Sequence, residues 1–154
     1  MNASEQAGSF FAQGYSCSQS VFAAFAECFG LDRNQALRVA AAFGGGMSRA
    51  GETCGAVTGG LMAIGLYAGS TDPEDKAAKE HTYALGQLFM ARFRDRFTNL
   101  DCRCLLGVDL SQPGANQTAR DQGLYKSVCP GLVSGAAEIV EEILAEQNHS
   151  QQPD

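Results

Sequence analysis

The chain has 154 residues, a formal net charge of −6, 45% hydrophobic and 18% charged residues. That length and composition suit one folded domain with its own core and exclude a disordered chain. The acidic balance, with no Lys/Arg cluster, excludes the usual electrostatic footprint of nucleic-acid or anionic-membrane binding.

Taken in order, 3–13 reads as a short helix carrying Phe10 and Phe11. Ser16 can cap a second helix with Cys17 first, followed by apolar Val21, Phe22, Phe25, Cys28 and Phe29, and ended by Gly30. Asp32 caps a third, in which Ala36, Leu37, Val39, Ala40 and Phe43 recur at helical spacing until Gly44, Gly45 and Gly46 stop it. The stretch 44–60, GGGMSRAGETCGAVTGG, then leads into a helix over 54–67 that is apolar nearly all round. The run 53–71 is uncharged, but its five glycines favour a tightly packed interior helix over a membrane span. Pro73 suits the first position of a long helix reaching Phe97, with Ala77, Ala84, Leu85, Leu88, Phe89 and Phe93 on its inner face. A short helix at 102–106 follows, ended by Gly107; 107–117 is the loosest segment. A short helix over 124–128 breaks before Cys129-Pro130. The last helix, 131–146, buries Leu132, Val133, Ile139, Val140, Ile143 and Leu144. No strand run or internal repeat is visible. The expected fold is all-α, a compact bundle of about five to seven helices around a central Gly-rich buried helix. Residues 1–147 form a single helical domain and 148–154 a polar, frayed tail. The N-terminus lacks a basic stretch and an apolar core, so no signal peptide is expected and the protein is read as cytoplasmic.

Six cysteines are many for such a chain, and in a reducing compartment they point to metal binding or catalysis rather than structural bridges. Cys17, Cys54, Cys102 and Cys129 each fall at or near a helix start, where unpaired amides and the helix dipole lower a thiol's pKa and favour an anionic centre. Cys28 returns to nearly the face of Cys17 and reads as a small core hydrophobe. Cys104 makes a Cys-x-Cys pair with Cys102 and stands as a possible substitute for it or as a resolving thiol. Structural zinc is disfavoured because no C-x₂₋₄-C pair occurs, and a thioredoxin-type centre because C-x-x-C is missing. Scattered single cysteines meeting at one point suit an iron–sulfur cluster or an unusual disulfide relay. His81 and His149 read as solvated, Arg49 as exposed, and Glu52 as a favourable charge near a helix start. Neither phosphate-cradling glycine motif is present.

At YSCSQSVFAAF, GETCGAVTGGLMAIGL, DCRCLLG and SVCPGLV the chain resembles a family described as redox-active and named for its C…GCAxxG…C…C pattern, here in the local order CGAxxG. The resemblance spans nearly everything after residue 10. It implies a small, mostly helical protein with four characteristic cysteines and a redox role. The chain is also similar to the iron–sulfur portion of split-Soret cytochromes, whose cysteines hold a [2Fe–2S] cluster. That likeness implies Cys17, Cys54, Cys102 and Cys129 as ligands, Cys102 being preferred to Cys104 because it stands three residues before the Leu-Leu pair. No C-x-x-C-H motif occurs, so no haem is expected. The resulting expectation is an electron-transfer or redox-sensing protein serving an unidentified donor or acceptor protein. The alternatives are a thiol–disulfide protein using Cys17/Cys54 or Cys102/Cys104, and a non-redox metal-binding module. A homodimer is permitted. No general acid, base or substrate pocket can be named, which leaves open whether it is an enzyme.

Overall fold

The computed structural model describes residues 1–151. In order the helices are α1 (Ala3–Ala12), α2 (Cys17–Ala26), α3 (Arg33–Ala40), α4 (Gly44–Met47), α5 (Gly55–Ala68), α6 (Lys76–Phe97), α7 (Cys102–Leu106), α8 (Ala115–Asp121), α9 (Leu124–Ser127) and α10 (Cys129–Ser150). Short 3₁₀ turns follow α2 and α3, at Glu27–Phe29 and Ala41–Phe43. Seven of the described helices have at least seven residues, the upper end of the expected number; α4, α7 and α9 are single turns. The fold is all-α, and the sole extended pairing among the described residues is an isolated antiparallel bridge between Thr53 and Asp101.

Two helices share the centre rather than one. In α2, eight of ten residues are buried, and α2 packs against α5, α1 and α3. The Gly-rich α5 is buried over its first half, whereas Leu61, Met62 and the Gly65–Ala68 turn are only half-buried or beyond. Across this pair lies α10, touching α1, α2, α5 and α6. Val21, Val57, Ile64, Phe89, Val133 and Ile143 fill the junction and are fully buried. Each such side chain contributes about 1.5–3 kcal/mol relative to exposure.

Several boundaries differ from the sequence reading, each for a local reason. Ser16 caps α2 in a capping box with Gln19, as the pattern predicts. The helix then tightens to 3₁₀ at Glu27, which breaks the 100° phase, so Cys28 is exposed rather than in the core. Pro73 sits in a turn; α6 starts three residues later because the Asp75 carboxylate accepts from Ala78 N–H at 3.0 Å. With that start, Leu85, Gly86, Phe89 and Phe93 face inward while Ala77 and Ala84 are exposed. The segment expected to be loosest contains α8, opened by Gly114 in the left-handed region at φ 76°. Helix α10 begins at Cys129, Pro130 being tolerated in the first turn where its missing N–H leaves no bond unmade. It runs to Ser150, so 148–150 are helical rather than frayed; 152–154 lie outside the described residues. No described helix is long and apolar enough to cross a membrane.

Candidate functional site

Four cysteines stand at helix starts. Cys17, Cys102 and Cys129 are the first residues of α2, α7 and α10, and Cys54 is the N-cap residue of α5, one place earlier than expected. All four line one small cavity of about 40 Å³, with Leu105, Leu106, Leu110 and Leu132 among its walls. Cys28 and Cys104 are exposed and lie outside that wall. His81 and His149 are exposed as well.

Three local features bring the sulfurs together. First, Gly55 and Gly59 lie one turn apart on the face of α5 that meets α2. A Cβ on Gly59 would come within 2.7 Å of the Ser18 carbonyl oxygen, and one on Gly55 within 3.1 Å of Cys17 Cβ. The two glycines of CGAxxG thus let the backbones approach and set Cys54 beside Cys17. Second, 51–54 and 100–103 run side by side: Cys54 N–H donates to Leu100 O at 2.8 Å and Cys102 N–H to Glu52 O at 2.6 Å. This pairing, with the Thr53–Asp101 bridge, fixes Cys102 against Cys54. Third, the glycine loop does more than end α3. Gly45, Gly46, Met47, Ser48 and Arg49 are all left-handed, with φ between 53° and 68°. Such backbone costs roughly 1–2 kcal/mol per non-glycine residue, and Gly46 leaves no room for a side chain, since its Cβ would stand 2.7 Å from Cys102 Cβ.

Arg103, which the sequence reading passed over, clamps the loop. Its Nε donates to Gly51 O at 2.9 Å and one terminal nitrogen to Glu52 Oε1 at 2.6 Å. Glu52 is therefore an ion-pair partner rather than only a charge near a helix start. The signal in the chain was slight: one arginine between two cysteines.

The thiols do not behave as the helix dipoles alone would have them. Burial pushes Cys54 up to about 11, more than the amides of Ala56 and Val57 draw it down. Burial, then the like charges of Cys54 and Cys129, push Cys102 up to about 12. Cys17 is raised well above the ordinary thiol value, first by its direct interaction with Cys129 and then by burial. Only Cys129 among these thiols is lowered, and the neighbouring Cys17 thiol is the main cause. At Cys17, Cys54 and Cys102 the helix-start dipole is outweighed by desolvation and by the neighbouring sulfurs. Among the described residues, no three or more His, Cys, Asp or Glu side chains gather closely enough to hold a single metal ion.

A much larger cleft, about 820 Å³, opens beside the chamber. Cys17, Gly45, Leu110 and Tyr125 belong to both walls. The sequence named no substrate pocket, because these residues come from five separated segments.

No curated protein and no solved structure matches the chain, and the likeness to split-Soret cytochromes is not shown by these comparisons. One family profile matches, described as "Putative redox-active protein (C_GCAxxG_C_C)", over residues 15–143. The matched span takes in all four chamber cysteines and both glycines that seat α5 on α2. The chain belongs to the C_GCAxxG_C_C family.

Proposed function

We propose that Cys17, Cys54, Cys102 and Cys129 hold an iron–sulfur cluster of the [2Fe–2S] type, and that the protein transfers electrons or senses redox state. The observation that carries this reading is the convergence of four cysteines from four helix starts on one enclosed cavity. The donor set fits. Thiolates are soft ligands that select iron–sulfur clusters, zinc or copper(I), and no carboxylate or imidazole joins them in the wall. A two-iron cluster takes two thiolates at each iron, so it does not require three ligands around one point. The cavity is far smaller than the roughly 300–1,000 Å³ of organic cofactor sites. Such a cluster, when bound, accepts and releases one electron at a potential set by charge, hydrogen bonds to sulfur and exposure. The chain's own part is to bring four thiols together, keep water out with leucines and hold the loop with Arg103.

The test is iron and acid-labile sulfide content with a visible spectrum, on protein prepared without oxygen. About two irons per chain are expected. They should be lost in Cys102→Ala and kept in Cys104→Ala. Folded protein that stays colourless after anaerobic reconstitution overturns the reading.

A second reading has its own observation. Cys17 and Cys129 share the cavity wall and each has the largest effect on the other's pKa, which marks a dithiol pair different from Cys17/Cys54 and Cys102/Cys104. A reversible Cys17–Cys129 disulfide in metal-free protein, found by mass mapping, would favour a thiol–disulfide role.

A further inference from the structure

The large cleft carries a charge pattern that the chamber does not explain. Its wall holds Arg49 from the left-handed loop, Arg120 from α8 and Lys126 from α9, and no carboxylate. This is a cationic patch in a chain with 17 acidic and 11 basic residues. Arg33, Arg92, Arg96 and Arg103 all pair with acidic side chains. Among the described residues Arg49, Arg120 and Lys126 have no such partner, as is also true of Arg38, Arg94, Lys76 and Lys79, but of these seven only the first three line the cleft. Both arginines line the cleft together with Tyr125 and its hydroxyl. That hydroxyl is held by Asn116 at 2.8 Å, and Asn116 also lines the cleft. Phe11, Tyr15 and Tyr125 supply aromatic surface, and Ser16 and Ser48 add hydroxyls. Like charges facing one cavity repel until an anion enters, and low-dielectric walls concentrate that attraction. The volume, about 820 Å³, is that of a small-molecule site.

We propose that this cleft binds a small anion carrying phosphate or carboxylate groups on a planar body. Arg49, Arg120 and Lys126 take the charge, and Tyr15 and Tyr125 the planar part. The ligand lies against the Cys17 side of the chamber, because Cys17, Gly45, Leu110 and Tyr125 are common to both cavities. The inference stands on the cleft's own residues and does not require that the chamber hold a cluster.

Flavin mononucleotide, a planar ring with a phosphate, and riboflavin, the same ring without one, are the probes. Flavin emission is titrated against full-length protein prepared without oxygen, with inorganic pyrophosphate as competitor. Saturable binding of the mononucleotide is expected, weakening several-fold between about 50 and 200 mM salt. Riboflavin should bind about tenfold more weakly, and pyrophosphate should displace the mononucleotide. The triple variant R49Q/R120Q/K126Q should lose about tenfold or more, with its helical circular dichroism unchanged, since all three residues are exposed. The proposal falls if neither mononucleotide nor pyrophosphate binds below about 1 mM, if the two flavins bind alike, or if the folded triple variant binds undiminished. Iron content of the same samples reports on the chamber separately, so either conclusion can fail alone.

Discussion

Cys129 is the odd member of the chamber: Cys17 draws its pKa down, while Cys129 and then burial push Cys17 up, and burial with like charge pushes Cys54 and Cys102 up. In metal-free protein these three remain thiols at neutral pH. Their folded pKa values lie above the unfolded value near 8.5, so the native state holds the extra protons. The resulting stability is complete below about pH 8.5 and disappears as pH rises through about 11 to about 12. Thermal midpoints of metal-stripped protein should therefore fall steeply above that onset. The fall should be shallower in Cys54→Ala, measured under reductant at matched ionic strength. An equal slope in both proteins would show that Cys54 is not the buried thiol described. The same residues show what a linear pattern conveys. Four helix-start cysteines can be read from Ser16, Thr53, Asp101 and Pro130 beside them. The balance between dipole and desolvation cannot, because it depends on neighbours from other helices. Cys28 shows the opposite failure, its phase being lost to one 3₁₀ turn.

The CGAxxG stretch acts through the element it sits on. Gly59 meets the Ser18 carbonyl oxygen, while Gly65 on the same helix has open space around it. Gly59→Ala should lower stability by about 1–3 kcal/mol, as overpacking does, and should spread Cys54 from Cys17. Gly65→Ala should raise it by about 0.5–1 kcal/mol, the ordinary gain of alanine over glycine in a helix. Denaturant titration of both variants separates a packing role from a general intolerance of substitution in α5. Helix starts carrying side-chain caps at Ser16 and Asp32 were legible because the capping residue is local. The pairing of 51–54 with 100–103 was not: three backbone bonds over four residues are too short a run to show alternation, and Leu100 carries no mark of its partner.

At the scale of the molecule, four sulfurs from the starts of α2, α5, α7 and α10 line one cavity. A group bound only in the native state stabilises by mass action. Iron-loaded protein should thus melt well above the same protein stripped of iron, by calorimetry without oxygen. The gain should vanish in Cys102→Ala. Equal melting of the loaded and stripped forms would mean that any iron present sits elsewhere. The bundle and its core were readable from the apolar residues of α2 and α10 and from the nearly all-round apolar run of α5. The cleft was not, since Arg49, Arg120 and Lys126 are far apart in the chain and meet only after α8 and α9 fold beside the glycine loop. The partition formed by Cys17, Gly45, Leu110 and Tyr125 has a thermodynamic corollary. Two compartments one side chain apart cannot be independent electrically. An electron added among the sulfurs would repel an anion across the phenol, and that anion would oppose the electron by the same free energy.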